Sequence, residues 1–197
     1  MAETSAQTVY FDRPGEENTS RTLELALQRA EQLKLRSVVV ASTWGRTGRL
    51  AAQLFAGYRL IVVTHVTGFR EPDHQEMSEL DRAALIAAGA QVLTCTHAFG
   101  GLGRAVRRKL NTYQVDEIVA YTLRLFGEGT KVALEISAMA ADAGRVRCNE
   151  EIIAIGGTGG GADTALVVKP AHTHNFFDMR VAEIICRPRL GLQPRPE

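Results

Sequence analysis

The chain has 197 residues, 45% apolar and 23% charged, which is the balance of a soluble globular protein long enough to bury a substantial core. Its formal net charge of +1 gives no electrostatic case for nucleic acid or an anionic membrane as partner. No apolar run approaches the roughly 20 residues a membrane span requires.

The start, "MAETSAQTVYFDRPGEENTS", is polar and lacks the apolar centre of a signal peptide. "NTSRTLELALQRAEQLKL" follows with Leu23, Ala26, Leu27, Ala30 and Leu33 at helical spacing behind a capping Asn18 or Thr19. "RSVVVAS" reads as a buried strand, "GRTGRLAAQLFAG" as a helix, "YRLIVVTH" as a second strand, and "QEMSELDRAALIAAG" as a helix stopped at Gly89. "AQVLTCTH" is a third strand. Leu102 to Ala143 is helical with breaks near Asn111 and at "GEG". "EEIIAIGG" is a fourth strand, followed by a glycine-rich link, "DTALVVKPA" and "RVAEIICRP". Strand–helix alternation predicts a single three-layer α/β/α domain with a mostly parallel sheet. The link from Gly156 to Asp163 is too short for a crossover helix, so "TALVVK" is expected to return antiparallel as an edge hairpin. The core is expected over residues 8–188, with a loose Pro/Arg-rich tail over 189–197. Cys95, Cys148 and Cys186 are odd in number and widely spaced, which fits reduced thiols and a cytoplasmic location. No C-x-x-C is present, and no metal is expected.

In such sheets ligands bind beyond the carboxyl ends of the strands. The four segments found there, "ASTWGRTG", "THVTGF", "THAFGGLG" and "GGTGGGAD", are all rich in Gly, Thr, Ser and His. In the first, Ser42, Thr43 and Thr47 bring hydroxyls, Gly45 lets backbone approach a ligand, and a helix begins, which together suit a phosphate. Arg46 adds a charge, and Trp44 offers a flat surface for a ring; the alternative is that Ser42 or Thr43 merely caps the helix. Thr64, His65 and His97 end the second and third strands, where they can touch a ligand or move a proton. His172 and His174 are expected on a solvated surface.

"VVVASTWGRTGRLAAQLFAGYRLIVVTH" resembles the start of the pyruvate kinase C-terminal domain, in which a strand leads into a Thr/Ser-Gly loop and a helix. "GEGTKVALEISAMAADAG", "GGTGGGADTA" and "THVTGF" resemble a stand-alone family of such domains, over about Phe11 to Pro188. The resemblance implies the same fold and, from the Thr/Ser loop, a phosphorylated ligand; flavin mononucleotide (FMN), a nucleotide or a sugar phosphate are the candidates. It also implies no pyruvate kinase activity, because the catalytic barrel is missing. Five glycines between Gly156 and Gly161 exceed what a hairpin needs. With the resemblance, Gly157, Thr158, Gly159, Gly160 and Gly161 are expected to close over the phosphate with free amides, while Asp163 either caps the loop or accepts from a ligand hydroxyl. No Gly-Lys-Ser/Thr follows, so this is not a Walker A loop.

Val132, Ile136, Met139, Ala140 and Ala143 make a core stripe, with Lys131 and Glu135 expected as a solvated pair opposite; the alternative is that this pair, just after "LFGEG", faces the rim, with Arg124 as a phosphate partner. "RAVRRKL" is expected to be a basic helix face that is solvated or at an interface, not a nucleic-acid site. Two readings result: a binding domain for a phosphorylated molecule, or an enzyme using a flavin or phosphosubstrate with His65 or His97 as acid and base. Catalytic residues are not assigned, and a homo-oligomer is compatible with the sequence.

Overall fold

The computed structural model describes residue 3 and residues 5–190; the expected loose tail beyond Leu190 lies outside the described residues. Seven strands form one sheet in the order β1-β7-β6-β5-β2-β3-β4. Here β1 is Val9–Phe11, β2 Ser37–Ala41, β3 Arg59–Val63, β4 Gln91–Leu93, β5 Ile152–Thr158, β6 Gly160–Lys169 and β7 Arg180–Pro188. Strands β5, β2, β3 and β4 are parallel, with Val39 opposite both Ile61 and Ala154. Their runs of Val and Ile are buried on both faces, as a parallel sheet between helix layers requires.

Alternation along the strands divides the core in two. Val38, Val40, Ile153 and Ile155 face α1 (Thr19–Leu33), α2 (Arg46–Leu54) and α3 (Glu79–Ala87). Val39, Ile61, Ile152 and Ala154 face α5 (Val115–Leu123) and α6 (Glu128–Asp142), while α4 (Leu102–Leu110) packs outside on α5. The expected helix breaks are real: Asn111 ends α4 in the left-handed conformation, φ 52°, and Gly127 separates the turn at 124–126 from α6 at φ 110°. Among the described residues no helix is long and apolar enough to cross a membrane.

The antiparallel return of β6 onto β5 is present, with Ile155 opposite Ala165. It is not at the edge. β7 adds antiparallel beyond β6, and β1 then adds parallel to β7. β1 was hidden in the sequence because three residues in a polar leader carry no periodicity.

Most of the glycine-rich link belongs to the ladder, which turns over at Gly159, φ 73°. The density of glycine there has a packing cause. A Cβ on Gly156 would overlap the Gly129 carbonyl oxygen and lie 2.9 Å from the Ala133 nitrogen, so α6 sits against β5 backbone to backbone. Gly156→Ala is expected to destabilise the fold by about 1–3 kcal/mol, since backbone cannot move aside as a side chain does. Thermal unfolding should show a lowered Tm; an unchanged Tm would mean that α6 shifts without cost.

Candidate functional site

The parallel strands β2, β3, β4 and β5 end at one rim. The starts of α1, α2 and α6 and part of α4 enclose a cavity of about 610 Å³. That lies within the usual range of roughly 300–1,000 Å³ for small-molecule sites.

One wall is the β2–α2 turn. Gly45 carries φ 91°, and a Cβ there would lie 2.8 Å from Asp81 Cβ, so the chain can reverse into α2 only with glycine at this position. Ser42 Oγ accepts from the Gly48 amide at 3.0 Å, which is the capping role. Among the described residues the amides of Arg46 and Thr47 have no acceptor, and both residues line the cavity. Trp44 is 38% exposed, with the Arg70 guanidinium 5.4 Å from its ring centroid.

The floor is the first two turns of α6. Lys131 and Glu135 are a buried ion pair, 6% and 5% exposed, that lines the cavity as the alternative reading had it, and not the solvated pair that their spacing suggested. The correction has a structural reason: α6 is covered on nearly all sides, so its polar pair is enclosed too. Glu135 also accepts from the Phe99 amide at 2.9 Å, tying α6 to the segment after β4. Lys131 Nζ has three N–H donors. Glu135 is its only hydrogen-bond partner among the described residues, leaving donors for whatever occupies the cavity. Val132, Ile136 and Met139 supply apolar surface beside it. Of the charged side chains on the wall, Arg46, Arg70, Arg104, Arg124 and Lys131 are cations, while Glu16, Glu128 and Glu135 are carboxylates. Arg46 pairs with Glu16 and Arg124 with Glu128. Arg104 has no carboxylate partner among the described residues and lies 4.8 Å from the Phe69 ring centroid.

His65 and His97 meet across the third wall, ring centroids 5.3 Å apart, with Phe69 against both. His97 Nε2 accepts from the Val66 amide at 3.2 Å, so its proton resides on Nδ1. Burial pushes its pKa down to about 4; Glu135 opposes this, and His65, Lys131 and Arg104 add to it. His65 is held differently. Its Nδ1 lies 3.1 Å from Glu76 Oε1, and its Nε2 lies 3.4 Å from Thr43 Oγ1. The Glu76 side chain is only 3% exposed, and Oε2 has no partner. Burial pushes this carboxyl up. The hydrogen bond from His65, its own backbone amide and the charges of His65 and Arg70 together hold it below the ordinary carboxylate value.

Among the residues singled out from sequence, Ser42, Thr43, Trp44, Arg46, Thr47, Thr64, His65, His97, Gly157, Gly159, Gly160 and Gly161 line this cavity. Gly45, Thr158 and Asp163 do not. Asp163 is fully buried and accepts from the Gly15 amide at 3.0 Å and from Thr164 Oγ1 at 2.8 Å, fixing the N-terminal segment to β6. Thr64 also braces the sheet, its hydroxyl 2.7 Å from that of Thr94. His172 and His174 stack on each other away from the cavity, with His172 Nδ1 3.3 Å from Asp142. Sequence reasoning missed Glu76, Phe69, Arg70 and Glu16, which reach the rim through the irregular segments 64–78 and 12–18. Arg104, expected on a basic face that is solvated or at an interface, also lines the cavity.

Fold and cavity together define an α/β domain with a ligand-sized site at the carboxyl ends of its parallel strands. The profile of the pyruvate kinase alpha/beta domain matches residues 20–168, and the chain belongs to that family. It is similar in structure to pyruvate kinase from Cryptosporidium parvum, at 14% identity and a TM-score of 0.38 over 71% of this chain and 20% of that one. The same enzyme in complex with ADP gives 14% identity and a TM-score of 0.39, over 76% and 22%. An O-ureido-L-serine synthase gives 18% identity and a TM-score of 0.31, over 66% and 49%. The chain thus spans about a fifth of the length of the pyruvate kinases it matches.

The depressed pKa of His97 sets a stability profile. Its value falls from 6.5 to about 4 on folding, so the unfolded chain binds the extra proton between those pH values. This contribution is intact above about pH 6.5 and is lost as pH falls toward 4, on the order of 3 kcal/mol in all. Urea unfolding at stepped pH should show that slope, and His97→Gln should flatten it. An equal slope in the variant would place the linkage elsewhere.

Proposed function

We propose that the cavity binds a phosphorylated small molecule, with its phosphate between the β2–α2 turn and the β5–β6 hairpin and its remaining part toward Phe69, His65 and His97. The observation that carries this reading is Lys131: a buried ammonium on the cavity floor with donors to spare beside an apolar wall. Glu135 already pairs with this ammonium, and the N–H donors it leaves unused are free to hydrogen-bond an anion. The open amides at the start of α2 and the excess of cations over carboxylates favour the same charge. FMN fits the donor set: an anionic end for the phosphate, the apolar side chains Val132, Ile136 and Met139 along a ring, and the indole of Trp44. Arg70 already covers one face of that indole, so stacking uses the other face or displaces Arg70. A nucleotide or sugar phosphate would use the same anionic end. This reading is of binding alone and assigns the domain no pyruvate kinase activity. The free thiols Cys95, Cys148 and Cys186 suit a reducing compartment such as the cytoplasm. Exposed Leu102, Val115, Ile118 and Leu125 offer a surface for a second copy of the chain.

Titration with FMN and with riboflavin, followed by flavin fluorescence, tests the phosphate. FMN is expected to bind at least tenfold more tightly, about 1.4 kcal/mol or more. The double variant Lys131→Met/Glu135→Gln removes the ammonium without stranding a buried charge, and Arg104→Met removes the unpaired cation. Each should weaken FMN about tenfold or more and leave riboflavin nearly unchanged. Equal affinity of the two flavins for the wild type would overturn the anion site.

A further inference from the structure

One constellation on the rim is more elaborate than a binding site needs. Thr43 Oγ1, His65 Nε2, His65 Nδ1 and Glu76 Oε1 form a continuous chain, with links of 3.4 and 3.1 Å. The hydroxyl stands on a four-residue strand-to-helix turn, beside the first-turn amides of α2. A histidine that only braced a loop would not require a buried carboxylate behind it, one of whose oxygens is left without a partner. An acceptor-only carboxylate at Nδ1 fixes the tautomer, so the Nε2 lone pair faces Thr43. Nucleophile, base and orienting group are thus in the order that activates a hydroxyl.

We propose that Thr43 is a nucleophile for the phosphoryl group of a phosphate monoester, with His65 as its base and Glu76 as the residue that positions His65. The proposal rests on the phosphate reading above, because it is the phosphate held at the start of α2 that Thr43 attacks. Thr43 Oγ1 bonds to phosphorus and its proton passes to His65 Nε2. The phosphorus–oxygen bond to the alcohol breaks on the far side, the electron pair leaves with that oxygen, and it takes a proton from water. The hydroxide so formed attacks phosphorus, the bond to Oγ1 breaks, and His65 returns its proton to Oγ1. The net change is hydrolysis of the monoester to alcohol and inorganic phosphate, with no redox partner. Lys131, Arg104 and the amides of Arg46 and Thr47 supply the positive environment that the equatorial oxygens need, which is the main demand of phosphoryl transfer. The two imidazoles on this rim thereby play different parts. His65 moves the proton, and His97, its Nε2 already occupied by the Val66 amide, does not.

p-Nitrophenyl phosphate is the probe. Mixing it with the full chain and quenching in acid should leave a phosphate on the peptide carrying Thr43, seen by mass spectrometry. A burst of p-nitrophenolate comparable to the protein concentration should accompany it. Thr43→Val should abolish the adduct and Thr43→Ser should retain it. His65→Gln should slow adduct formation roughly 10²-fold or more. Glu76→Gln should lower kcat at unchanged KM, and Glu76→Asp should restore part of it, which a purely structural role would not produce. Absence of both adduct and turnover in the wild type, or equal turnover in Thr43→Val, overturns the proposal. FMN preference over riboflavin in the wild type separates the two readings. If that preference persists without any adduct in the wild type, only the transfer fails. If the wild type shows no preference, the phosphate site fails with it.

Discussion

Contact between backbones, at Gly129 of α6 and Gly156 of β5, governs where the rest of the rim can lie. Side chains normally hold a helix and a sheet about 10 Å apart, and here glycine on each side removes that spacer. The helix that descends into this gap is built from Gly, Ala and Ser at many inward positions, including Ala133, Ser137, Ala138, Ala140 and Ala141, all buried. Close packing draws its first turn up to the sheet, where Asp163 stands 2.6 Å from the Cβ position of Gly129. A buried carboxylate beside the positive end of a helix is the sign the dipole favours. Asp163 in turn holds Gly15, and Thr19 Oγ1 accepts from the Ala162 amide at 3.0 Å. The first turns of α1 and α6 are thus fixed to the same hairpin.

Electrostatics of the cavity follow from that placement. Because α6 begins at the rim, Lys131 and Glu135 arrive one turn further down, inside the wall, and burial makes them a pair. Desolvation and attraction nearly offset one another in such pairs, so the pair contributes little to stability. What it provides is a fixed positive group with unspent donors. The carboxylates on the wall are each assigned to a cation, and Arg104 remains outside that pairing among the described residues. In a near-neutral protein, the cavity wall thus carries five cationic side chains against three carboxylates, a local excess of positive charge.

Much of the architecture was legible because parallel strands carry their signal locally. "SVVVA", "LIVVT" and "IIAIG" are β-branched runs between helical patterns, and a short link after Ile155 admits only a hairpin. What escaped depended on distance in the chain. β1 pairs with β7 across the whole sequence, and no local pattern in three residues announces it. Lys131 and Glu135 show the opposite failure: their i,i+4 spacing is a local signal of a solvated pair, overridden by a helix enclosed on nearly all sides. Glu76 is eleven residues from His65, at no helical or strand period. It reaches Nδ1 only because the segment 64–78 folds back on itself, with the Gly68 amide on the His74 carbonyl at 2.8 Å and Gln75 on the His65 carbonyl at 3.0 Å. The glycine cluster exceeds the need of a turn for more than one reason. Packing against α6 accounts for Gly156, while Gly159 and Gly160 face the cavity.

His65 and His97 illustrate why position on a fold sets opportunity and not role. Both stand just past a parallel strand, in the sequences "VVTH" and "TCTH", and both reach the same cavity. Their surroundings then separate them. An amide from the neighbouring segment donates to one ring, which leaves no proton on that nitrogen, and burial separately lowers its pKa. A carboxylate accepts from the other ring, which requires a proton on Nδ1 and leaves Nε2 toward a hydroxyl. The division comes from one backbone donor and one buried acceptor, each supplied by the segment after β3. The chemistry of the rim therefore depends on that segment's fold as much as on the histidines themselves.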